Sequence, residues 1–138
     1  VAAKQNVPEI TLEQISAARI DKPGHWKVGW EIKNVAPLPV KLLAVRLPHG
    51  QFKSEELRFE PAVDLPAQQK ARFQVAVRCQ EPAGLVSENA FVIFHIDWRG
   101  APWRIFVRVR VVVNEKGEPS ATTELITTQE VGFTGVNS

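Results

Sequence analysis

Cys79, His95 and Asp97 are the residues of this 138-residue chain whose types come nearest to a reactive centre. On a strand, His95 and Asp97 stand two positions apart and point to the same side. With Cys79 from another strand they would offer sulfur, nitrogen and oxygen to a transition metal. A mononuclear copper site would also want a histidine soon after the cysteine and a weak methionine ligand. Gln80, Glu81 and Pro82 follow Cys79 instead, and the chain has no Met. A Gly-rich phosphate loop, HExxH, CxxC and GxSxG are all absent from the sequence. Cys79 therefore reads as a small buried hydrophobe, His95 with Asp97 as a satisfied polar pair, and the chain as non-catalytic, without metal or cofactor.

Binding residues are easier to find. Trp98 and Trp103 flank the short segment Arg99–Pro102. Two indoles and an arginine at a loop could stack on a sugar or anchor a protein partner. The competing reading has both rings closing the end of a core, as Trp26 and Trp30 do beside Val28 and Ile32. From Trp98 to Val113 the chain carries Arg99, Arg104, Arg108 and Arg110 and no acidic residue. Alternation sets Arg104, Arg108 and Arg110 on one face, spread over roughly 20 Å at the rise of a strand. That stripe, with Phe106 inside it, could receive an acidic protein surface, an anionic polymer or lipid headgroups. Its competing reading is a solvated face paired with glutamates such as Glu31. A net charge of +2 is too small for a dedicated nucleic-acid binder.

The elements that must position these residues show period-two alternation. In His25–Asn34, Trp26, Val28, Trp30 and Ile32 share one face while Lys27, Glu31 and Lys33 take the other. Lys70–Cys79 and Trp103–Val113 repeat the scheme. Val40–Leu47 and Asn89–Trp98 read as further strands, the second apolar on both faces. Glu9–Ile20 fits an opening strand better than a helix, because no helical stripe persists. Pro37, Pro39, Pro48, Pro61, Pro66 and Pro82 fall between these stretches, where a residue without an N–H donor is tolerated. Arg99–Pro102 reads as a hairpin connection, and six to eight short strands result.

Hydrophobic residues at 44% and charged residues at 23% are ordinary globular usage, and the length fits one domain. No apolar run reaches the ~20 residues of a membrane-spanning helix. A chain without Met reads as processed or cut from something longer, and a removed secretory signal would place it outside the cytoplasm. One cysteine forms no internal disulfide, and no Asn begins an N-glycosylation sequon.

The run Trp26–Asn34, the bend at Pro37 and Pro39, and Leu65–Cys79 (LPAQQKARFQVAVRC) together resemble bacterial immunoglobulin-like accessory modules. The resemblance spans residues 24–113 and implies an antiparallel immunoglobulin-like β-sandwich with a role in binding, spacing or assembly. Cys79 has no partner, so the cysteine–tryptophan–cysteine pattern of antibody domains is missing. Residues 1–120 are expected to form the sandwich and 121–138 an extended C-terminal arm. Four glutamates against one lysine make Asn114–Ser138 locally acidic. The arm should add to a sheet edge of its own domain or of a partner, with Phe133 as anchor. The expected function is a non-catalytic binding or assembly module, an accessory subunit of a larger extracytoplasmic complex. Its candidate partner-binding residues are Trp98, Arg99, Trp103, Arg104, Arg108, Arg110 and Phe133. A carbohydrate-binding module built on Trp98 and Trp103 is the alternative.

Overall fold

The computed structural model describes residues 7–132. Eight strands account for most of them: β1 (Ile10–Arg19), β2 (His25–Asn34), β3 (Val40–His49), β4 (Phe52–Leu65), β5 (Lys70–Arg78), β6 (Val86–Trp98), β7 (Ala101–Val113) and β8 (Pro119–Glu130). They form one antiparallel sheet in the order β1-β2-β5-β4-β3-β6-β7-β8. The sheet curls through 264° into a nearly closed barrel.

This corrects the expected immunoglobulin-like sandwich and, with it, the resemblance to immunoglobulin-like accessory modules. Alternation requires that every strand have one dry face, and it is silent on what that face meets. Two sheets facing each other and one sheet curled on itself satisfy it equally. Here the sheet is continuous through β4 and β5, although their ladder is the single pair Lys53↔Arg78.

The dry faces point inwards. Trp30, Phe52, Phe94, Ile32, Leu42 and Ile105 are among the largest fully buried side chains. Trp30 meets Phe52 edge to face with centroids 6.2 Å apart. Beyond the Lys53↔Arg78 pair the walls of β4 and β5 diverge, and half-buried Phe59 and Phe73 fill the gap at 5.5 Å, with Phe94 behind Phe73 at 5.8 Å. Lysine, arginine and glutamate lie on the outside. An apolar interior with a charged exterior is the inverse of a barrel that spans a bilayer.

Strand β4 is absent from the expected set, because Pro61 reads as a break. The strand accommodates it at an irregularity: Leu42 pairs with Val63 and Ala44 with Arg58, so Phe59–Ala62 bulge out of the β3–β4 ladder. A proline needs no ladder partner there. The β2–β3 connection is fixed by Asn34, which is fully buried. Its Nδ2 donates to the carbonyls of Leu38 (2.8 Å) and Leu65 (3.0 Å), and its Oδ1 accepts from Ala36 N–H (2.9 Å). The β6–β7 hairpin turns on Arg99 and Gly100, whose φ values of 55° and 76° have the sign that the tight two-residue hairpin turn demands.

The segment expected as a separate arm is largely β8, laid along β7 from Val113↔Pro119 to Trp103↔Glu130. The edge it joins is that of its own sheet. Phe133 lies outside the described residues.

Candidate binding face

Strand β7 has Ile105, Val107, Val109 and Val111 in the core and Arg104, Phe106, Arg108 and Arg110 on the outer surface. Strand pairing decides which neighbours these residues meet. Across β6, Arg104 lies opposite His95, Phe106 opposite Ile93, and Arg108 opposite Phe91. Across β8, Arg104 lies opposite Gln129, Phe106 opposite Thr127, and Arg108 opposite Leu125. On the far side of β6, Arg46 of β3 lies opposite Ile93, and Ala44 opposite His95. The outer wall thus has half-buried Phe106 beside buried Ile93 at its centre, with guanidinium-bearing residues at Arg46, Arg104 and Arg108 around it. Leu125 adds an exposed apolar side chain, 47% accessible, beside Arg108.

Carboxylates neutralise the margins of this face and not its middle. Arg110 Nε donates to Glu88 Oε2 at 3.1 Å. Arg58 lies 3.6 Å from Glu56 and 3.8 Å from Glu60. Among the described residues Arg46, Arg104 and Arg108 form no ion pair. The Nε of Arg108 is buried and has no hydrogen-bond partner. A buried donor left so costs about 1–3 kcal/mol. On the wall of β2 and β5, Glu31 takes Arg72 at 3.0 Å and Lys70 at 3.6 Å, and the Arg72 hydrogen bond holds its carboxyl below the ordinary value.

His95 belongs to the same face. Its Nε2 is buried without a partner. Burial, then the charge of Arg104, pushes its pKa down; Arg46 and Arg58 act the same way, and Glu56 opposes them. The expected satisfied pair with Asp97 is not formed, since no hydrogen bond joins the two. Asp97 instead lies opposite Lys41 in the ladder, and Lys41 is 3.9 Å from Asp64. These three, with Arg99, line an open cleft of about 600 Å³ at the barrel end.

The Cys79, His95 and Asp97 constellation is dispersed. Cys79 packs inside the barrel, where burial raises its thiol pKa, and its carbonyl accepts Trp26 Nε1 at 3.0 Å. His95 faces outwards through the opposite wall. No three His, Cys, Asp or Glu residues are placed to hold a metal among those described.

Trp98 and Trp103 do meet, edge to face at 5.5 Å and 89°. Trp98 is only 2% exposed, and the Arg99 guanidinium carbon sits 5.5 Å from its ring centroid. The pair closes the barrel end, and half-buried Trp103 borders a cleft of about 300 Å³ with Arg99 and Glu130. A sugar-stacking platform needs an open ring face, which Trp98 lacks. Arg99 is therefore drawn to the hairpin and away from the stripe. Arg46 is the member that sequence reasoning missed, and His95, singled out there for metal chemistry, belongs instead beside Arg104 on this face. Arg46 sits between buried Val45 and Leu47, so its outward direction was readable, but the neighbour it would meet was not.

Compared with known proteins, the chain matches no family model and no curated protein sequence.

Proposed function

We propose that the chain is a non-catalytic binding or assembly module that engages a protein partner through the outer wall of β3, β6, β7 and β8. The observation that carries this reading is the set of three arginines, Arg46, Arg104 and Arg108, without carboxylate partners around the apolar pair Ile93 and Phe106. A rigid barrel with a filled interior offers its surface for recognition, and arginines beside apolar side chains are the groups enriched where proteins meet. The interior has Trp30, Phe52 and Phe94 where a ligand-carrying barrel would hold its cargo.

The test is isolation of the native protein with whatever stays bound to it, repeated with Arg46, Arg104 and Arg108 replaced by Gln. Association should slow in the variant and weaken with salt in the wild type, because exposed charges are screened beyond ~8 Å at physiological ionic strength. A partner retained equally by the variant would return this wall to a solvated face.

A further inference from the structure

The positions on the outer wall define the shape of what binds there, an inference that rests on the binding reading above. Arg104, Phe106 and Arg108 follow one another at two-residue steps along β7, a spacing of about 6.8 Å per step and ~14 Å from end to end. Another extended chain has the same step between side chains on one face. A helix advances about 5.4 Å per turn and would fall out of register over this distance. The row is bounded as well: the next outward residue on β7, Arg110, is already held by Glu88.

We propose that this wall receives an extended acidic segment of a partner polypeptide in the pattern acidic–x–apolar–x–acidic. Its two carboxylates meet Arg104 and Arg108, and its apolar side chain covers half-buried Phe106, with buried Ile93 beside it. Arg46 lies on the far side of Ile93, two strands from β7, and adds its charge to the same apolar centre. The end at Arg108 has a further apolar contact in Leu125, and its guanidinium carries a buried Nε without a partner. The end at Arg104 has the unpartnered Nε2 of His95 beside it. Each end of the row therefore combines a guanidinium free of ion pairs with a nitrogen that has no hydrogen-bond partner. Charge complementarity selects the carboxylates, and the intervening Phe106 selects the apolar residue between them.

The probe is a blocked heptapeptide, Thr-Glu-Thr-Leu-Thr-Glu-Thr, titrated into the ¹⁵N-labelled protein. The control is Thr-Thr-Leu-Thr-Glu-Glu-Thr, of equal composition and charge. The matched peptide should shift amides around Phe106 and Ile93 and bind several-fold more tightly than the control. Replacing Arg104 and Arg108 by Gln should weaken it about tenfold or more. A charge-swapped pair, Arg104→Glu with Lys in the facing peptide position, should recover binding, which guards against a variant that merely misfolds. Equal binding of the two peptides overturns the inference. So does capture of phosphatidylserine vesicles or a single-stranded oligonucleotide in preference to the matched peptide. If a co-purifying native partner depends on these arginines while the peptides ignore register, the extended-segment inference fails alone. If that partner ignores the arginines too, the binding reading fails with it.

Discussion

The Oε1 of Gln14 accepts the backbone N–H of Ala121 at 2.7 Å while its Nε2 donates to the carbonyl of Pro119 at 3.0 Å. Gln14 lies on β1 and its two partners on β8, the terminal strands of the curled sheet. No backbone ladder joins these strands. The side-chain amide supplies one donor and one acceptor, as a neighbouring peptide unit would, and Thr123 Oγ1 adds a bond to Leu12 C=O at 2.9 Å. Barrel closure is thus made by side chains reaching backbone.

Gln14→Ala should therefore lower stability by about 1–2 kcal/mol, since two part-buried backbone groups lose their partners. Urea denaturation measures the loss. Amide exchange at Ala121 should quicken well before global unfolding, and an unchanged rate there would show that β1 and β8 hold without the amide.

Phe52 and Phe73 separate the closed wall from the diverging one. Phe52→Ala empties a fully buried site and should cost about 3–5 kcal/mol. Phe73 is half-buried beside Phe59, so Phe73→Ala should cost clearly less. Equal costs would mean that β4 and β5 close over Phe73 in solution.

The lowered pKa of His95 makes stability depend on pH in a stated direction. As pH falls through about 6.5 an unfolded chain protonates this imidazole while the folded one resists. The unfolded state then binds more protons, so stability rises with pH up to that value and is flat above it. Acidification from pH 7 to 5.5 should destabilise the wild type more than His95→Gln, as thermal melts at each pH would show. An acidic partner would oppose the shift, so complex formation should take up protons in the same window. Parallel pH profiles for the two proteins would remove His95 from the account.

Cys79 should resist a disulfide reagent such as DTNB at pH 8 in the native state and react at once in denaturant. It is buried, and both that burial and the charge of Glu81 raise its thiol pKa, so little thiolate is available to attack. Rapid native labelling would place the thiol at the surface. Cys79→Ser should leave partner binding intact, because the side chain lies within the barrel.

Individual strands were legible because each has a dry face. His25–Asn34 coincides with β2 residue for residue, and the alternation of Trp103–Val113 gives both faces of β7 correctly. What those faces meet was not legible. Strand order depends on long-range pairing, so the meeting of Arg46 with Ile93 and of His95 with Arg104 had no signature in local sequence. Strand β4 was hidden by Pro61 and by the bulge that accommodates it. Arg110 was read as part of the free stripe, because Glu88 reaches it from β6, twenty-two residues away. The curl into one barrel is equally a matter of pairing, decided at Lys53 and Arg78.

The short contact between β4 and β5 has a further consequence, for self-association. Past Lys53 the outer edge of β4 has no ladder partner, and an unpaired edge is a template on which another copy can build. Glu55, Glu56, Glu60 and Asp64 line this edge, with Pro61 among them. Arg58 stands among them against Glu56 and Glu60, so two such edges brought together would meet as mixed but acidic strands and present a residue with no N–H to donate. The same composition that obscured β4 in the sequence therefore works as a fence, keeping one barrel from being extended by the next.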